Sequence, residues 1–290
     1  PSHIFFRIGR YNDAAQANLR AAEVDEAYIA ACNAQGFYPA AYYPHNIHFL
    51  WSASTMQGQS ALSIDSARRV VANVRVEQVE ALPTIEFFRT VPLLSLVRFA
   101  KWDAILAEPQ PHEGFMFARS VWHYARGVAY AAKGQTDAAK AELALLEPLK
   151  DDLSVRFLDS RDYPGSALVG IAIHLLHGEI AYRAGEFGSA AGHFEQAVLA
   201  QDQLPYTEPP FWYYPTRQSL GAALFADGKH VEAEQVFKKD LQQYPHNGWS
   251  MFGLAQSLTA QGKTAEAAKA RMHFETIWQF ADVELTASIL

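Results

Sequence analysis

The sequence predicts an all-α protein made of about seven helical hairpins, and three observations predict it. A pattern of small residues recurs along the chain, and apolar residues repeat at spacings of three and four on both sides of it. No stretch of comparable length alternates as a strand would. The clearest copy is GVAYAAKGQTDAAKAELALL, in which Gly127 is followed by Gly134 and Ala139.

Each copy is predicted to form two antiparallel helices joined at a turn residue. That residue is expected to take a left-handed backbone conformation, which glycine adopts at little cost. The turn positions are 9, 58, 100, 134, 185, 228 and 262, with Ala100 in place of glycine in the third copy. Phe194 and Phe237, on second helices, are expected to be buried between neighbouring hairpins.

The repeated pattern resembles the tetratricopeptide repeat, whose typical length is about 34 residues. The turns are separated by 49, 42, 34, 51, 43 and 34 residues, so the order long, medium, short occurs twice. We interpret the chain as one superhelical domain over residues 1–290, with duplicated blocks at about 1–125 and 126–262. The resemblance implies a right-handed α-solenoid with a concave groove.

The segments PSHIF, YYPHNIHFLW and EPPFWYYPTRQSLGAAL also resemble a group of bacterial tetratricopeptide repeat proteins. That resemblance implies no particular chemistry. The first helix of the first hairpin retains only its second half, so Ile4, Phe5 and Phe6 lack their usual partner. We therefore expect an upstream chain segment or another subunit to cover the N-terminal end.

Composition and charge narrow the range of functions. The 290 residues carry a formal net charge of −7 without a run of Lys or Arg, which argues against a nucleic-acid partner. No segment is long and apolar enough to span a bilayer, so we expect a soluble protein, cytoplasmic or periplasmic. Cys32 is the only cysteine, which excludes an intrachain disulfide and a thiolate zinc cluster.

Motifs of catalysis are not found in the sequence. It contains no Gly-x-Ser-x-Gly, no Gly-rich phosphate loop and no His-Glu-x-x-His, and carboxylates such as Asp13, Glu179 and Glu208 are scattered. The interpretation favours a protein that is not an enzyme and holds no cofactor. The leading hypothesis is an interaction module that binds a protein or peptide in its concave groove.

The resemblance also implies which side chains line that groove, because the first helix of each tetratricopeptide hairpin faces inward. Carried over from the turn positions, the set is His3, Phe6, Arg7, His45, His48, Ser52, Thr55, Met56, Tyr124, Glu179, Arg183, Gln218, Trp249 and Phe252. Two aromatic insertions, at 36–44 and 204–215, lie between hairpins. Their side chains either project into the groove as a binding surface or cover apolar seams between hairpins; they are Tyr42, Tyr43, Trp212, Tyr213 and Tyr214.

Three of these groove residues are histidines, which keeps a second hypothesis open. Neutral imidazoles of His3, His45 and His48 would suit a zinc, copper or nickel ion. They could equally hold a carboxylate or a polar peptide, or simply cap the helix behind Pro44 by bonding backbone carbonyls. A small-ligand or metal site, which could also be catalytic, is therefore the alternative to peptide binding.

Overall fold

The computed structural model describes residues 1–33 and 42–290. Within these ranges it contains sixteen α-helices and no strand, which confirms the all-α prediction. Fourteen of the helices form seven consecutive hairpins: α1 (Ser2–Arg7) with α2 (Tyr11–Cys32), α3 (Tyr43–Gln57) with α4 (Ser60–Ala72), α6 (Val91–Arg98) with α7 (Trp102–Ala107), α8 (Met116–Ala132) with α9 (Thr136–Leu146), α11 (Gly165–Arg183) with α12 (Phe187–Asp202), α13 (Arg217–Ala226) with α14 (His230–Gln243), and α15 (Gly248–Ala260) with α16 (Thr264–Trp278).

The turn of every hairpin lies at its predicted position. The six turn glycines have φ between 72° and 80°, the left-handed conformation that ends a helix at low cost in glycine. Ala100 holds the same conformation in the third hairpin, with φ 53°, although a side chain makes it unfavourable by roughly 1–2 kcal/mol. The hairpin geometry at this position therefore outweighs the local preference of the residue.

The segments between hairpins are built differently even where their lengths agree. Between the second and third hairpins lie α5 (Val76–Ala81) and a 3₁₀ helix, Pro83–Thr90. Between the fourth and fifth lie a second 3₁₀ helix, Glu147–Asp151, and α10 (Leu153–Asp159). The segment 203–216 between the fifth and sixth hairpins is irregular. Of the first aromatic insertion, residues 36–41 lie outside the described ranges.

Glycines in the first helices make room for aromatic rings of the second helices. Phe194 and Phe237 are both fully buried, as predicted. A Cβ atom added at Gly178 would lie 2.4 Å from the ring of Phe194. Added at Gly221 or Gly253, it would lie 2.4 Å or 2.3 Å from the ring of Phe237. Each ring therefore occupies the space that a side chain would otherwise take.

The first hairpin is packed more completely than the sequence suggests. Phe6 is buried, with its ring centroid 5.1 Å from that of Tyr11 and 5.5 Å from that of Phe49. Helices α2 and α3 therefore enclose Phe6, while cover of this end by an upstream segment or another subunit stays a prediction. Ile4, on the other face of the same helix, is 67% exposed.

The solenoid closes on itself, because the seventh hairpin packs against the second. The indole N–H of Trp249 donates to the Thr55 carbonyl oxygen at 3.3 Å. The amide of Gln57 donates to the Ile277 carbonyl oxygen at 2.5 Å. These contacts join α15 and α16 to α3, hairpins that are five apart in the chain.

Asp282, just beyond the last helix, extends this junction to α4. Its two carboxylate oxygens accept the backbone N–H groups of Ser60 and Ala61, at 2.6 and 2.9 Å. These N–H groups begin α4 and have no acceptor within the helix, so a carboxylate there is stabilised by hydrogen bonds and by the helix dipole. Although burial raises it, the N–H groups hold the pKa of Asp282 below its ordinary value.

Arg98, at the end of α6, lies where the third, sixth and seventh hairpins meet. Its guanidinium carbon lies 3.5 Å from the ring centroid of Trp249 and 4.8 Å from that of Tyr214. One of its terminal N–H groups donates to Gln218 Oε1 at 2.5 Å. The side chain is buried, and burial lowers its pKa to about 10. Two aromatic faces and an amide oxygen thus surround the charge.

Two Gly→Ala substitutions are predicted to have opposite effects on stability, because only one of the two glycines packs against Phe237. Gly221→Ala should lower the free energy of unfolding by about 1–3 kcal/mol, because the new methyl group overlaps the Phe237 ring. Gly192→Ala, inside α12 with nothing near its added Cβ, should raise it by up to about 1 kcal/mol. Urea unfolding measures both. A stabilised Gly221→Ala variant would show that the ring and the helix are not in contact.

Candidate ligand-binding site

A cavity of about 200 Å³ lies beside the predicted histidine cluster. We call it the aromatic cavity, after the seven Phe, Tyr and Trp rings in its wall: Trp51, Phe87, Phe88, Phe117, Tyr163, Phe211 and Trp212. Most of them come from α3, the 3₁₀ helix at 83–90 and the irregular segment 203–216, while α8 and the turn before α11 supply Phe117 and Tyr163. The long inter-hairpin segments therefore build the cavity, whereas regular hairpins alone would not.

His48 lies in the wall of the aromatic cavity. Its ring stacks on Trp51 with centroids 5.1 Å apart, and the rings of Phe87 and Phe88 approach it edge-on at 5.4 and 5.3 Å. It makes no hydrogen bond within the part of the chain that the structure describes. Burial, followed by the nearby His45, lowers the pKa of His48 to about 3, so the ring is neutral at physiological pH.

The rim of the aromatic cavity holds the other two histidines around a carboxylate. His3 Nδ1 lies 2.6 Å from Glu208 Oε2, and the His3 ring stacks on His45 with centroids 5.6 Å apart. Arg7 Nε lies 3.6 Å from Glu208 Oε1, to which the Tyr206 hydroxyl also donates. Burial and the charge of His3 lower the pKa of His45. The carboxylate comes from the second insertion, 205 positions along the chain.

The three histidines are thus divided between two environments. His3 and His45 meet at the rim, while His48 lies deeper among aromatic rings. Across residues 1–33 and 42–290, no group of three or more His, Cys, Asp or Glu side chains could hold a metal ion. What the arrangement offers a ligand is an apolar interior with a neutral imidazole and a charged, hydrogen-bonded rim.

Other predicted residues of α3 face different neighbours. Tyr43 is buried and its hydroxyl donates to Glu26 Oε1 on α2 at 2.5 Å, so it belongs to the contact between the first two hairpins. This hydrogen bond and burial raise the pKa of Tyr43 to about 12, burial contributing most. Tyr42 is exposed, and Ser52 is buried.

The predicted groove residues of the later hairpins are largely enclosed by the closure of the solenoid. Trp249 and Gln218 are fully buried in the contact with Arg98, and Tyr214 covers the same guanidinium. Tyr124 is buried and its hydroxyl lies 3.0 Å from that of Tyr213. These residues are buried and contact one another. A groove would be open at this position only if the second and seventh hairpins were apart, and here they are in contact.

Residues 284–290, which we call the tail, lie on the inner side of the last three hairpins. The guanidinium of Arg183 donates to the Leu290 carbonyl oxygen at 3.0 Å and to Glu179 Oε1 at 2.7 Å. Phe252 does not contact the tail in this way, since its ring packs at 5.2 Å from Phe274 of its own hairpin. Arg183 therefore binds a segment of this same chain, and Glu179 holds the Arg183 side chain.

Several residues of the two sites were not singled out from the sequence. Phe87 and Phe88 give a signal only as an aromatic pair inside an unusually long interval between turns. Glu208 lies beside the aromatic run of the second insertion, but nothing nearby indicates that it meets His3. Arg98 and Ser288 give no local signal, because their partners come from distant hairpins.

The spacing of the last two turns agrees with a known family. A family model described as Tetratricopeptide repeat matches residues 224–270, which span the turns at Gly228 and Gly262. Residues 224–270 therefore contain a tetratricopeptide repeat. The five hairpins before the matched region repeat its arrangement of two helices around a left-handed turn residue. No curated protein matches the sequence.

A tetratricopeptide repeat carries a general expectation of protein partners, since helical repeats stack into extended surfaces that bind other proteins. None of the helices in the described ranges is long and apolar enough to cross a membrane. The particular surface and its ligand have to be argued from the contacts above.

The burial of His48 predicts a specific dependence of stability on pH. Its folded pKa of about 3 lies below the ordinary value of 6.5, so the unfolded chain binds a proton first as the pH falls. The contribution of His48 is complete above about pH 6.5 and is lost toward pH 3. From pH 7 to pH 5, the parent should lose about 2 kcal/mol relative to a His48→Phe variant.

Urea unfolding of both proteins at the two pH values measures this difference. Because other buried carboxyl groups titrate in both proteins, only the change in the difference between parent and variant reports on His48. A difference that stays constant between pH 7 and pH 5 would mean that the His48 ring takes up its proton normally.

Proposed function

We propose that this protein binds a segment of a partner protein along the inner face of α11, α13 and α15. The observation that carries the proposal is the tail, which lies on these three first helices without forming a helix or strand. A face that accepts this segment of the chain offers the same contacts to a segment of similar chemistry from another protein.

The contacts follow a regular register. Gln256 on α15 donates its side-chain amide to the Thr286 carbonyl oxygen at 3.1 Å. The Ser288 hydroxyl donates to the carbonyl oxygen of Gln218 on α13 at 2.9 Å. Arg183 on α11 donates to the Leu290 carbonyl oxygen at 3.0 Å. Every second residue thus meets the next hairpin, while the backbone bends at residues 286–288.

These contacts define the chemistry that a partner segment must have. Two of the three bonds go to main-chain carbonyl oxygens, which every residue supplies. Ser288 is 1% exposed, so its position accepts only a small residue. Ile289 and Leu290 line a small cavity together with Leu175 and Phe194. The face therefore favours a segment without helix or strand in which a small hydroxyl residue precedes two aliphatic residues.

Competition with the tail tests this proposal. A protein that ends at Val283 keeps the Asp282 contacts and the bond from Trp278 Nε1 to the Val283 carbonyl oxygen. It should bind a fluorescein-labelled peptide with the sequence of residues 284–290, measured by fluorescence anisotropy. The complete chain should bind the peptide at least about tenfold more weakly, because its own tail occupies the face.

Two altered peptides supply the matched control. The Ser288→Arg peptide should not bind, since the arginine cannot enter a buried position. The Thr286→Arg peptide should bind as the parent peptide does, because the Thr286 side chain is exposed and only its carbonyl oxygen is held. Equal binding of both altered peptides, or no binding of the parent peptide to a folded shortened protein, would contradict the proposal.

A further inference from the structure

We infer that the aromatic cavity binds a small neutral aromatic molecule that carries a hydrogen-bond acceptor, such as an aryl ketone. This inference concerns the side of the molecule that holds α3 and the segment 203–216. It does not depend on the binding of a partner segment to α11, α13 and α15.

The volume of the aromatic cavity sets the size of its ligand. An apolar cavity of about 150 Å³ is large enough to bind benzene. The 200 Å³ found here therefore accommodates one ring with a short substituent. Rings such as those of Phe87, Phe88 and Phe211 offer flat and edge-on contacts to such a molecule.

Two indole groups in the wall favour a hydrogen-bond acceptor on the ligand. Trp51 and Trp212 both line the cavity and are each 3% exposed. Neither Nε1–H group has an acceptor among the described residues, and both Nε1 atoms are covered by neighbouring atoms. An indole nitrogen can only donate, and a buried donor without an acceptor is unfavourable. A ligand carbonyl or ether oxygen would satisfy such a donor once its ring turns the N–H toward the cavity, whereas a hydrocarbon would not.

The charges around the aromatic cavity favour a neutral ligand. Among the described residues that line it, Glu208 alone carries a full charge, and His3, Arg7 and Tyr206 already bind that carboxylate. A ligand cation would therefore compete with two basic side chains. A ligand anion would meet the Glu208 carboxylate and the electron-rich faces of aromatic rings. The wall itself supplies no cation to offset that repulsion.

A pair of isosteric probes tests the inference. Acetophenone carries a carbonyl oxygen where α-methylstyrene has a methylene group of nearly the same shape. Ligand-observed NMR titration of the complete chain should show acetophenone binding at least about tenfold more tightly. N,N,N-Trimethylanilinium, an aromatic cation, should bind more weakly than acetophenone. Equal affinities for the isosteric pair, or preferential binding of the cation, would overturn the inference.

Substitution of one donor locates the effect. Trp212→Phe keeps a ring in the wall but removes its N–H, so acetophenone should bind about 3–10-fold more weakly while α-methylstyrene is unaffected. Trp122→Phe is the matched control, because Trp122 donates to the Glu108 carbonyl oxygen and does not line the cavity. It should change neither affinity. If both substitutions act alike, the probes bind elsewhere.

A variant that fills the space gives an independent check. Val121 lies in the cavity wall on α8, and Val121→Phe should abolish binding of both probes. Thermal unfolding of the variant shows whether the fold survives the larger side chain. Acetophenone binding that persists in a folded Val121→Phe protein overturns the assignment. If this variant does not fold, the comparison of Trp212→Phe with Trp122→Phe decides the question.

Discussion

The packing of the Arg98 guanidinium against Trp249 and Tyr214 joins parts of this solenoid that lie far apart in the chain. In an open array each repeat touches only its neighbours, and stability is close to a sum of local terms. Here one buried cation joins the third hairpin to the sixth and seventh, and its hydrogen bond to Gln218 fixes the direction of approach. Because this contact joins three hairpins, its loss would destabilise all three. We therefore expect the unfolding of these hairpins to be coupled.

The local parts of this architecture could be predicted because their causes are local. Short stretches of sequence determine the left-handed turn residue at positions such as Gly134. They also determine where a glycine faces an aromatic ring, as at Gly221. Closure and the aromatic cavity could not be predicted in the same way. Glu208 reaches His3 across 205 positions, and Trp249 reaches Thr55 across 194, so no periodic pattern links the partners. The inward direction of the first helices was foreseeable, but what they would face was not.

The irregular segment 203–216 explains why the two candidate surfaces occur together. Trp212 lies in the wall of the aromatic cavity, while Tyr214, two residues on, covers Arg98. Gln201 holds the end of the segment, donating to the Tyr214 carbonyl oxygen at 3.0 Å and accepting the Thr216 N–H at 2.8 Å. One short stretch without regular secondary structure thus supports the aromatic cavity on one side and the inner face on the other. Its aromatic composition follows from packing against both.

The hydrogen bonds from the start of α4 to Asp282 affect how tightly a partner segment of the proposed kind must bind. They hold the chain just before the tail, close to the face that the tail occupies, so tail binding is an intramolecular reaction. Short flexible connections of this kind correspond to effective concentrations in the millimolar range. A partner segment with the same contacts must therefore either reach comparable local concentrations or bind more tightly than the tail. If a partner segment binds this face as proposed, the Asp282 contacts favour partners that are multivalent, abundant or better matched than residues 284–290.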